Sequence, residues 1–126
     1  MNTPRDEKDL YRKWGAKVLS GGWTSTPNLL LKNSGKLGLD PTETLALINL
    51  IRYWWKQEEL PYPSISKTSE EMGVTRKTLS KKFSSLKKKG LIQEVKAPGQ
   101  PIKYSLQGLV NALEQLADEE TSTRRR

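Results

Sequence analysis

The stretch Thr75-Arg-Lys-Thr-Leu-Ser-Lys-Lys-Phe-Ser-Ser-Leu-Lys-Lys-Lys-Gly90 decides the fold of this chain. It holds seven basic residues and no acidic one. Leu79, Phe83 and Leu86 recur at the i, i+4, i+7 spacing of a single helix face. Thr75 is placed to cap the helix, and Gly90 suits the left-handed position just after its last turn. The pattern predicts a helix with one apolar face that packs and one basic face that lies against a polyanion.

The positive charge of the chain is concentrated around this stretch. The 126 residues carry a formal net charge of +8. Residues 61–106 contain ten basic and three acidic residues, whereas residues 1–60 have a net charge of +2 and residues 107–126 of −1. A localised basic surface favours a nucleic-acid partner, and the alternative is a lysine-rich helix that is merely solvated.

The composition excludes most enzyme classes and the usual metal sites. The chain has no Cys and no His, so it lacks a thiol nucleophile, an imidazole base and the common zinc ligands. We therefore expect no enzymatic activity, no cofactor and no metal. No apolar run approaches the roughly 18 residues that a membrane span needs, and the N-terminus is too charged for a signal peptide. The expected location is the cytoplasm.

The N-terminal part is predicted to contain a mobile arm and two short helices. Residues 1–9 are polar and form the arm. An apolar stripe at helical spacing then precedes Gly21-Gly22, which should end the first helix. The stripe consists of Leu10, Trp14 and Val18. Thr26-Pro27 is typical of a helix start, and the second helix should stop near Gly38.

A central helix is predicted over residues 41–57. Asp40 can cap it, Pro41 fits its first position, and Glu43 can reach back as in a capping box. Apolar residues occupy most of its circumference, which indicates a buried helix. Trp54 and Trp55 fall within this pattern, so we interpret them as core residues and rank base stacking, as in single-strand binders, well below that.

The remaining segments predict a helix-turn-helix followed by a hairpin. Two prolines make residues 60–64 a loop, and a short helix should run from Ser66 to Met72, capped by Ser64 or Ser66. A glycine-containing turn of three or four residues joins it to the basic helix. Two strands, over residues 91–96 and 102–106, flank a proline-rich tip.

The C-terminal part is predicted to be a closing helix and a charged tail. Its apolar positions have helical spacing. They are Leu106, Leu109, Val110, Leu113, Leu116 and Ala117. One domain over residues 10–117 and a frayed tail over residues 118–126 follow from this pattern.

This order of elements is that of a winged helix-turn-helix. The predicted fold is mainly α with a small two-stranded β-wing, extra N-terminal helices and a C-terminal amphipathic helix. Residues 63–92, with Met-Gly-Val-Thr-Arg-Lys-Thr-Leu and Leu-Lys-Lys-Lys-Gly-Leu-Ile, resemble the bacterial winged-helix pattern. Over residues 14–106 the chain looks like small bacterial helix-turn-helix proteins found among transcription regulators and plasmid or phage replication initiators. It departs from them at Thr68-Ser69, where such domains usually have Leu-Ala.

The helix-turn-helix geometry predicts which residues meet DNA. A recognition helix, here residues 75–89, enters the major groove by its N-terminal residues, and the preceding helix crosses the backbone. The candidates for base or near-base contact are Arg76, Lys77, Ser80 and Lys81. The candidates for phosphate contact are Thr75, Lys82, Lys88, Ser66 and Lys67, with Thr78 in either role. On the wing, Lys96, Gln100 and Lys103 are placed near the backbone of a duplex.

Two clusters of basic residues have a second explanation besides DNA contact. Lys87 to Lys89 are as well explained by solvation of the far end of the helix as by DNA contact. Arg124 to Arg126 could form an arm that reaches DNA, but a solubilising tail is favoured because Asp118 to Glu120 oppose such an approach.

The sequence therefore predicts a DNA-binding protein of the bacterial nucleoid. The first hypothesis is a sequence-specific transcriptional regulator that binds double-stranded DNA. The alternatives are a plasmid or phage replication-initiation or maintenance protein, and a winged helix that binds an acidic protein. A homodimer is expected, formed by the apolar stripe of the first helix or of the last, although either stripe could instead pack on its own domain.

Overall fold

The computed structural model describes residues 7–124, and in that range the chain forms seven helices and two strands. The elements are α1 (Glu7–Trp14), α2 (Ala16–Leu19), α3 (Asn28–Lys32), α4 (Pro41–Arg52), α5 (Ile65–Met72), α6 (Arg76–Lys88), β1 (Gln93–Val95), β2 (Lys103–Ser105) and α7 (Gln107–Arg124). The predicted class, mainly α with a small two-stranded sheet, is confirmed. Residues 1–6 of the predicted arm lie outside the described part, and residues 7–9 belong to α1.

The core forms where α4 and α6 pack against each other. Leu47 and Leu50 of α4 are fully buried. The apolar face predicted for α6, which is Leu79, Phe83 and Leu86, is buried as well. Burial of one such side chain stabilises a fold by about 1.5–3 kcal/mol, so this contact fixes the position of α6.

The helix-turn-helix forms as its capping residues predict. The Ser64 hydroxyl accepts a hydrogen bond from the Lys67 N–H at 3.1 Å, which settles the choice between Ser64 and Ser66 as cap of α5. Gly73 ends α5 at φ 70°, a left-handed conformation that favours glycine. Thr75 then caps α6 by accepting from the Thr78 N–H at 3.0 Å.

The wing is shorter than predicted. β1 pairs antiparallel with β2, with Glu94 opposite Tyr104 at the centre of the ladder. Leu91, Ile92 and Leu106 were predicted as strand residues, but they are buried in the core instead. The Tyr104 ring lies 5.3 Å from the Phe83 ring, centroid to centroid, so the wing is anchored on α6.

The N-terminal helices differ from the prediction. Gly15, at φ 83°, separates α1 from α2, so the predicted single stripe does not form. Trp14 is 52% exposed and Val18 64% exposed, whereas Leu19 is buried. The helix predicted from Thr26 to Gly38 is confined to α3, and its N-cap is Pro27, which makes no side-chain capping bond.

Helix α4 ends five residues earlier than predicted. It stops at Arg52, and both following tryptophans donate their indole N–H to a backbone carbonyl, Trp54 to Gln57 at 3.3 Å and Trp55 to Arg52 at 2.7 Å. Trp54 packs against the core. The core interpretation of Trp55 is wrong, because its side chain is 85% exposed.

The departure at Thr68-Ser69 does not displace α5. Both residues are buried, and α5 starts one residue before its predicted start and ends at its predicted residue, Met72. The Ser69 hydroxyl donates to the Ser66 carbonyl at 2.9 Å. Among residues 7–124, the buried Thr68 hydroxyl has no hydrogen-bond partner. Threonine in place of an apolar residue therefore lowers the stability of the fold but does not prevent α5 from forming.

Helix α7 is longer than predicted and begins at a close backbone contact. The predicted frayed tail is helical as far as Arg124, where the described part ends. Near the start of α7, the Leu109 N–H donates to the Leu91 carbonyl at 3.0 Å. A Cβ atom added to Gly108 would overlap the Gly90 carbonyl oxygen. Gly108 therefore permits the last helix to close onto the end of α6.

We expect Gly108→Ala to lower the free energy of unfolding by more than about 1 kcal/mol, because overpacking against backbone outweighs the helix propensity of alanine. Urea denaturation followed by circular dichroism measures this change. Gly35→Ala is the matched control, since a Cβ atom there meets no atom within 4 Å, and its stability should be unchanged. Equal stability of the two variants would show that α7 does not depend on this contact.

Candidate nucleic-acid interface

One side of α6 forms an open, shallow basic surface. Its helical spacing brings lysine and serine side chains together on the side opposite the buried Leu79 and Phe83. The lining residues are Lys77, Ser80, Lys81, Ser84, Ser85 and Lys88, which we call the α6 basic face. Within residues 7–124, no carboxylate lies within 4.0 Å of the ammonium groups of Lys77, Lys81 and Lys88. These three positive charges are therefore open to an anion.

The other three lysines of α6 and of the turn after it form salt bridges within the domain. Lys82 Nζ lies 2.8 Å from Asp40 Oδ2, and Lys87 Nζ lies 2.8 Å from Glu94 Oε1. Lys89 is also paired, as described below. The predicted phosphate role of Lys82 is therefore not supported by its position, and the solvation alternative is wrong for Lys87 and Lys89.

A buried carboxylate of α4 holds the C-terminal half of α6. Glu43 is 4% exposed and accepts three hydrogen bonds, from the Asp40 N–H at 3.0 Å, the Ser85 hydroxyl at 2.6 Å and Lys89 Nζ at 2.6 Å. Burial raises the pKa of Glu43, but these hydrogen bonds together outweigh it and hold the pKa below its ordinary value. The carboxylate is thus charged and fully bonded at neutral pH.

The same capping box also binds the middle of α6. Asp40 Oδ1 accepts from the Glu43 N–H at 2.7 Å, and Asp40 Oδ2 accepts from Lys82. The hydrogen bond from Lys82 lowers the pKa of Asp40, with a further contribution from the Glu43 N–H. In turn, the hydrogen bond to the Asp40 carboxylate raises the pKa of Lys82. The start of α4 therefore adds directional bonds to the apolar packing that orients α6, and these bonds hold Lys82 and Lys89 on the α4 side.

The residues at the start of α6 are largely committed to local bonds. The Thr75 hydroxyl caps the helix and donates to the Thr78 hydroxyl at 3.0 Å. Arg76 Nη1 lies 3.4 Å from the Ser66 hydroxyl, so Arg76 leans toward α5. Lys67 is exposed on α5, although its N–H is bonded to Ser64. Of the predicted base-contacting residues, the structure brings Lys77, Ser80 and Lys81 together on one open face.

The predicted wing residues lie apart from that face. Lys96 Nζ is 3.3 Å from Glu94 Oε2. Lys103 Nζ lies 5.9 Å from the centre of the Tyr62 ring, a cation–π contact. Gln100 is exposed at the tip, where its N–H donates to the Ala97 carbonyl at 3.1 Å. None of these three wing residues lines the α6 basic face.

The comparisons with known proteins decide the family. The family model of the DnaD N-terminal domain matches residues 26–124, which is more than half of the chain. The chain belongs to the DnaD N-terminal domain family. A solved structure, the N-terminal domain of the DnaD protein from Geobacillus kaustophilus HTA426, is similar with a TM-score of 0.65 and 23% identity over 96% of this chain and 97% of that one. At this identity the likeness concerns the fold alone. No curated protein matches.

The DnaD N-terminal match begins after α1 and α2, at residue 26, and includes every element that carries the candidate interface. Within residues 7–124 of this DnaD-family domain, no group of three or more His, Cys, Asp or Glu is arranged to hold a metal ion. None of its described helices is both long and apolar enough to cross a membrane.

The sequence missed the partners of the α6 lysines in this DnaD-family domain. Asp40 and Glu43 were predicted as a capping box, which is confirmed, but the box explained both carboxylates locally. Their bonds to Lys82 and Lys89 join residues more than 40 positions apart. Only an observed contact between α4 and α6 could have revealed that role.

We expect Glu43→Gln to lower the urea midpoint at pH 7 and to flatten its dependence on pH. Because the folded-state pKa of Glu43 lies below the ordinary 4.5, the carboxylate stabilises the fold above that pH, and this stability is lost as the pH falls through the folded-state pKa. Urea unfolding from pH 7 down to about pH 3 measures the effect.

The matched control is Glu58→Gln, which removes the same charge from an exposed loop position. It should leave the profile of the unaltered protein in place. Identical acid profiles for Glu43→Gln and the unaltered protein would contradict a stabilising role of the charged network.

Proposed function

We propose that this chain is a DNA-binding component of replication initiation, and that it places α6 in the major groove of a duplex. The observation that carries the proposal is the α6 basic face, with three lysines open on the exposed side of a helix-turn-helix. The preceding helix, α5, would cross the DNA backbone beside the groove, where Ser66 and Lys67 are exposed. The proposal includes no catalytic step and no cofactor.

The replication role rests on the family. Membership in the DnaD N-terminal domain family supports the replication alternative better than the transcriptional-regulator hypothesis, which gains no support from it. Mapping the bound sites in the source genome distinguishes the two roles. Clustering at an origin favours initiation, whereas a site in a promoter favours regulation.

The DNA-facing side chains have separate roles in this proposal. Lys77, Ser80 and Lys81 lie on the half of α6 that enters the groove. Lys96, Gln100 and Lys103 belong to the wing, which would lie along the neighbouring backbone. Lys82 has no DNA role in the proposal, because it is bonded to Asp40. The protein would act in the cytoplasm, at the nucleoid.

We expect Lys77→Ala and Lys81→Ala to weaken binding to duplex DNA by about 1–3 kcal/mol each if they meet base edges. Fluorescence anisotropy with a labelled duplex at low salt measures the affinity. Lys36→Ala is the matched control, because it removes the same charge from a groove between α3 and α7, away from the α6 basic face. Its affinity for the duplex should match that of the unaltered protein. Unchanged affinity in both α6 variants, with folding intact, would remove α6 from the interface.

The winged helix that binds an acidic protein is the competing function. The two functions predict different affinities for duplex DNA at low salt, because a domain that binds an acidic protein need not bind DNA at all. Failure of the unaltered protein to bind any duplex would favour it over the proposal.

A homodimer is also proposed, through the N-terminal helices. On α7, Leu109 and Leu113 are buried in the core. The apolar stripe of the last helix therefore packs on its own domain, which was the alternative to a dimer contact. Trp14 and Val18 remain exposed and apolar, which is typical of a contact surface. Two copies would present two recognition helices to one duplex.

We expect light scattering at tens of micromolar protein to give the mass of a dimer, and Trp14→Ala combined with Val18→Ser to give the mass of a monomer. Leu31→Ser is the control, because it removes an exposed apolar side chain from α3. A monomeric mass for the unaltered protein would contradict the dimer.

A further inference from the structure

Three aromatic side chains near the N-terminus lie outside the core of the domain. Tyr11 is 41% exposed, Trp14 52% and Trp23 44%. None of them is among the side chains of the hydrophobic core or those packed against it. Large aromatic side chains are usually buried for most of their surface, so a group of exposed ones indicates a contact surface. We call these three residues the N-terminal aromatic cluster.

A glycine turn brings two of these rings together. Gly22 has φ 91°, and its N–H donates to the Leu19 carbonyl at 2.9 Å. After this turn, Trp23 meets the ring of Tyr11 on α1, with 6.2 Å between the ring centroids and 81° between the ring planes. In such an edge-to-face pair, one ring keeps both faces and the other keeps one face uncovered by its partner. An unpaired base can stack on those faces.

The same segment carries an excess of positive charge. Residues 7–23 contain four basic and two acidic residues. Arg12 lies 3.5 Å from Asp9, whereas Lys13 and Lys17 form no salt bridge with any residue of the range 7–124. Both lysines are exposed, so their ammonium groups can meet phosphates beside a stacked base. Open aromatic rings next to basic side chains are the combination by which proteins bind single strands.

The geometry of the segment favours a single strand over the two other polyanions that a basic aromatic surface could meet. In a duplex the base faces are covered by neighbouring base pairs, so a protein ring can stack only on an unpaired base. A helix that lies in an anionic membrane surface needs a continuous apolar face. Gly15, at φ 83°, divides α1 from α2 and interrupts such a face.

We infer that the N-terminal aromatic cluster is a binding site for single-stranded DNA. Tyr11 and Trp23 stack on bases, and Lys13 and Lys17 neutralise phosphates. The site is distinct from the α6 basic face and precedes residue 26, where the match to the DnaD N-terminal domain begins. The choice of DNA over RNA rests on the proposed function, whereas the stacking itself does not.

The test measures the affinity of the full chain for a labelled oligothymidylate by fluorescence anisotropy. An oligomer of about 20 nucleotides exceeds the usual site size. Salt of about 0.2 M weakens binding that depends on lysines alone. Tyr11→Ala and Trp23→Ala should each weaken the affinity at least about fivefold, since one stacked base contributes that much. Tyr11→Phe keeps the ring and should bind like the unaltered protein.

The matched control is Trp55→Ala, which removes an exposed indole at the end of α4 and should leave the affinity unchanged. Circular dichroism verifies the folding of each variant. The affinity of Tyr11→Ala and Trp23→Ala for duplex DNA should also be unchanged, because α6 is intact in both. Equal losses for duplex and single strand would overturn the assignment to single strands.

Three further results overturn the inference. The first is an unchanged affinity for oligothymidylate in both alanine variants. The second is a loss in Tyr11→Phe as large as in Tyr11→Ala. The third is a loss of binding that occurs only together with the loss of the dimer mass in light scattering, which would assign the cluster to a contact between copies.

Oligouridylate, measured in parallel, tests the choice of DNA. Binding to it more than about tenfold tighter than to oligothymidylate would make RNA the ligand and overturn that choice. Failure of the unaltered protein to bind any duplex would overturn the proposed function, and the result with oligothymidylate would still decide whether the aromatic cluster binds a single strand.

Discussion

The bonds that Glu43 makes to α6 are the constraint on which the interface depends. A capping box usually satisfies two donors at its own helix start. Here the same two carboxylates, Asp40 and Glu43, also bind Lys82, Ser85 and Lys89. Hydrophobic packing of Leu79, Phe83 and Leu86 determines which face of α6 is buried. Charged hydrogen bonds are directional, so they determine which lysines point inward and leave the others exposed.

The elements governed by local chemistry could be predicted from the sequence. Capping residues and glycines gave α5, α6 and the turn between them almost residue by residue, because these signals act over three or four positions. The pattern failed where burial had to be inferred. Trp55 follows an apolar run and reads as core, but α4 ends at Arg52 and leaves it exposed. Helical periodicity cannot show where a buried helix stops.

The candidate site was predictable in composition but not in geometry. The basic stretch identified the right helix, and Lys77, Ser80 and Lys81 share an open face as expected. Formal charge did not reveal that Lys87 pairs with Glu94 on β1, or that Lys82 and Lys89 pair with carboxylates 42 and 46 positions away. The charge available to a partner is therefore smaller than the sequence suggests, and it is confined to one side of the helix.

The loop before α5 has a consequence for how the domain avoids unwanted association. The Pro61 carbonyl accepts a hydrogen bond from the Tyr104 N–H at 3.0 Å, along the outer edge of β2. Proline has no N–H to offer in return, so the loop covers this edge without extending the ladder. An uncovered strand edge is a template for pairing with another chain. Pro61 thus ends the ladder at this edge of β2 and leaves the Tyr104 N–H unavailable to a strand of another chain.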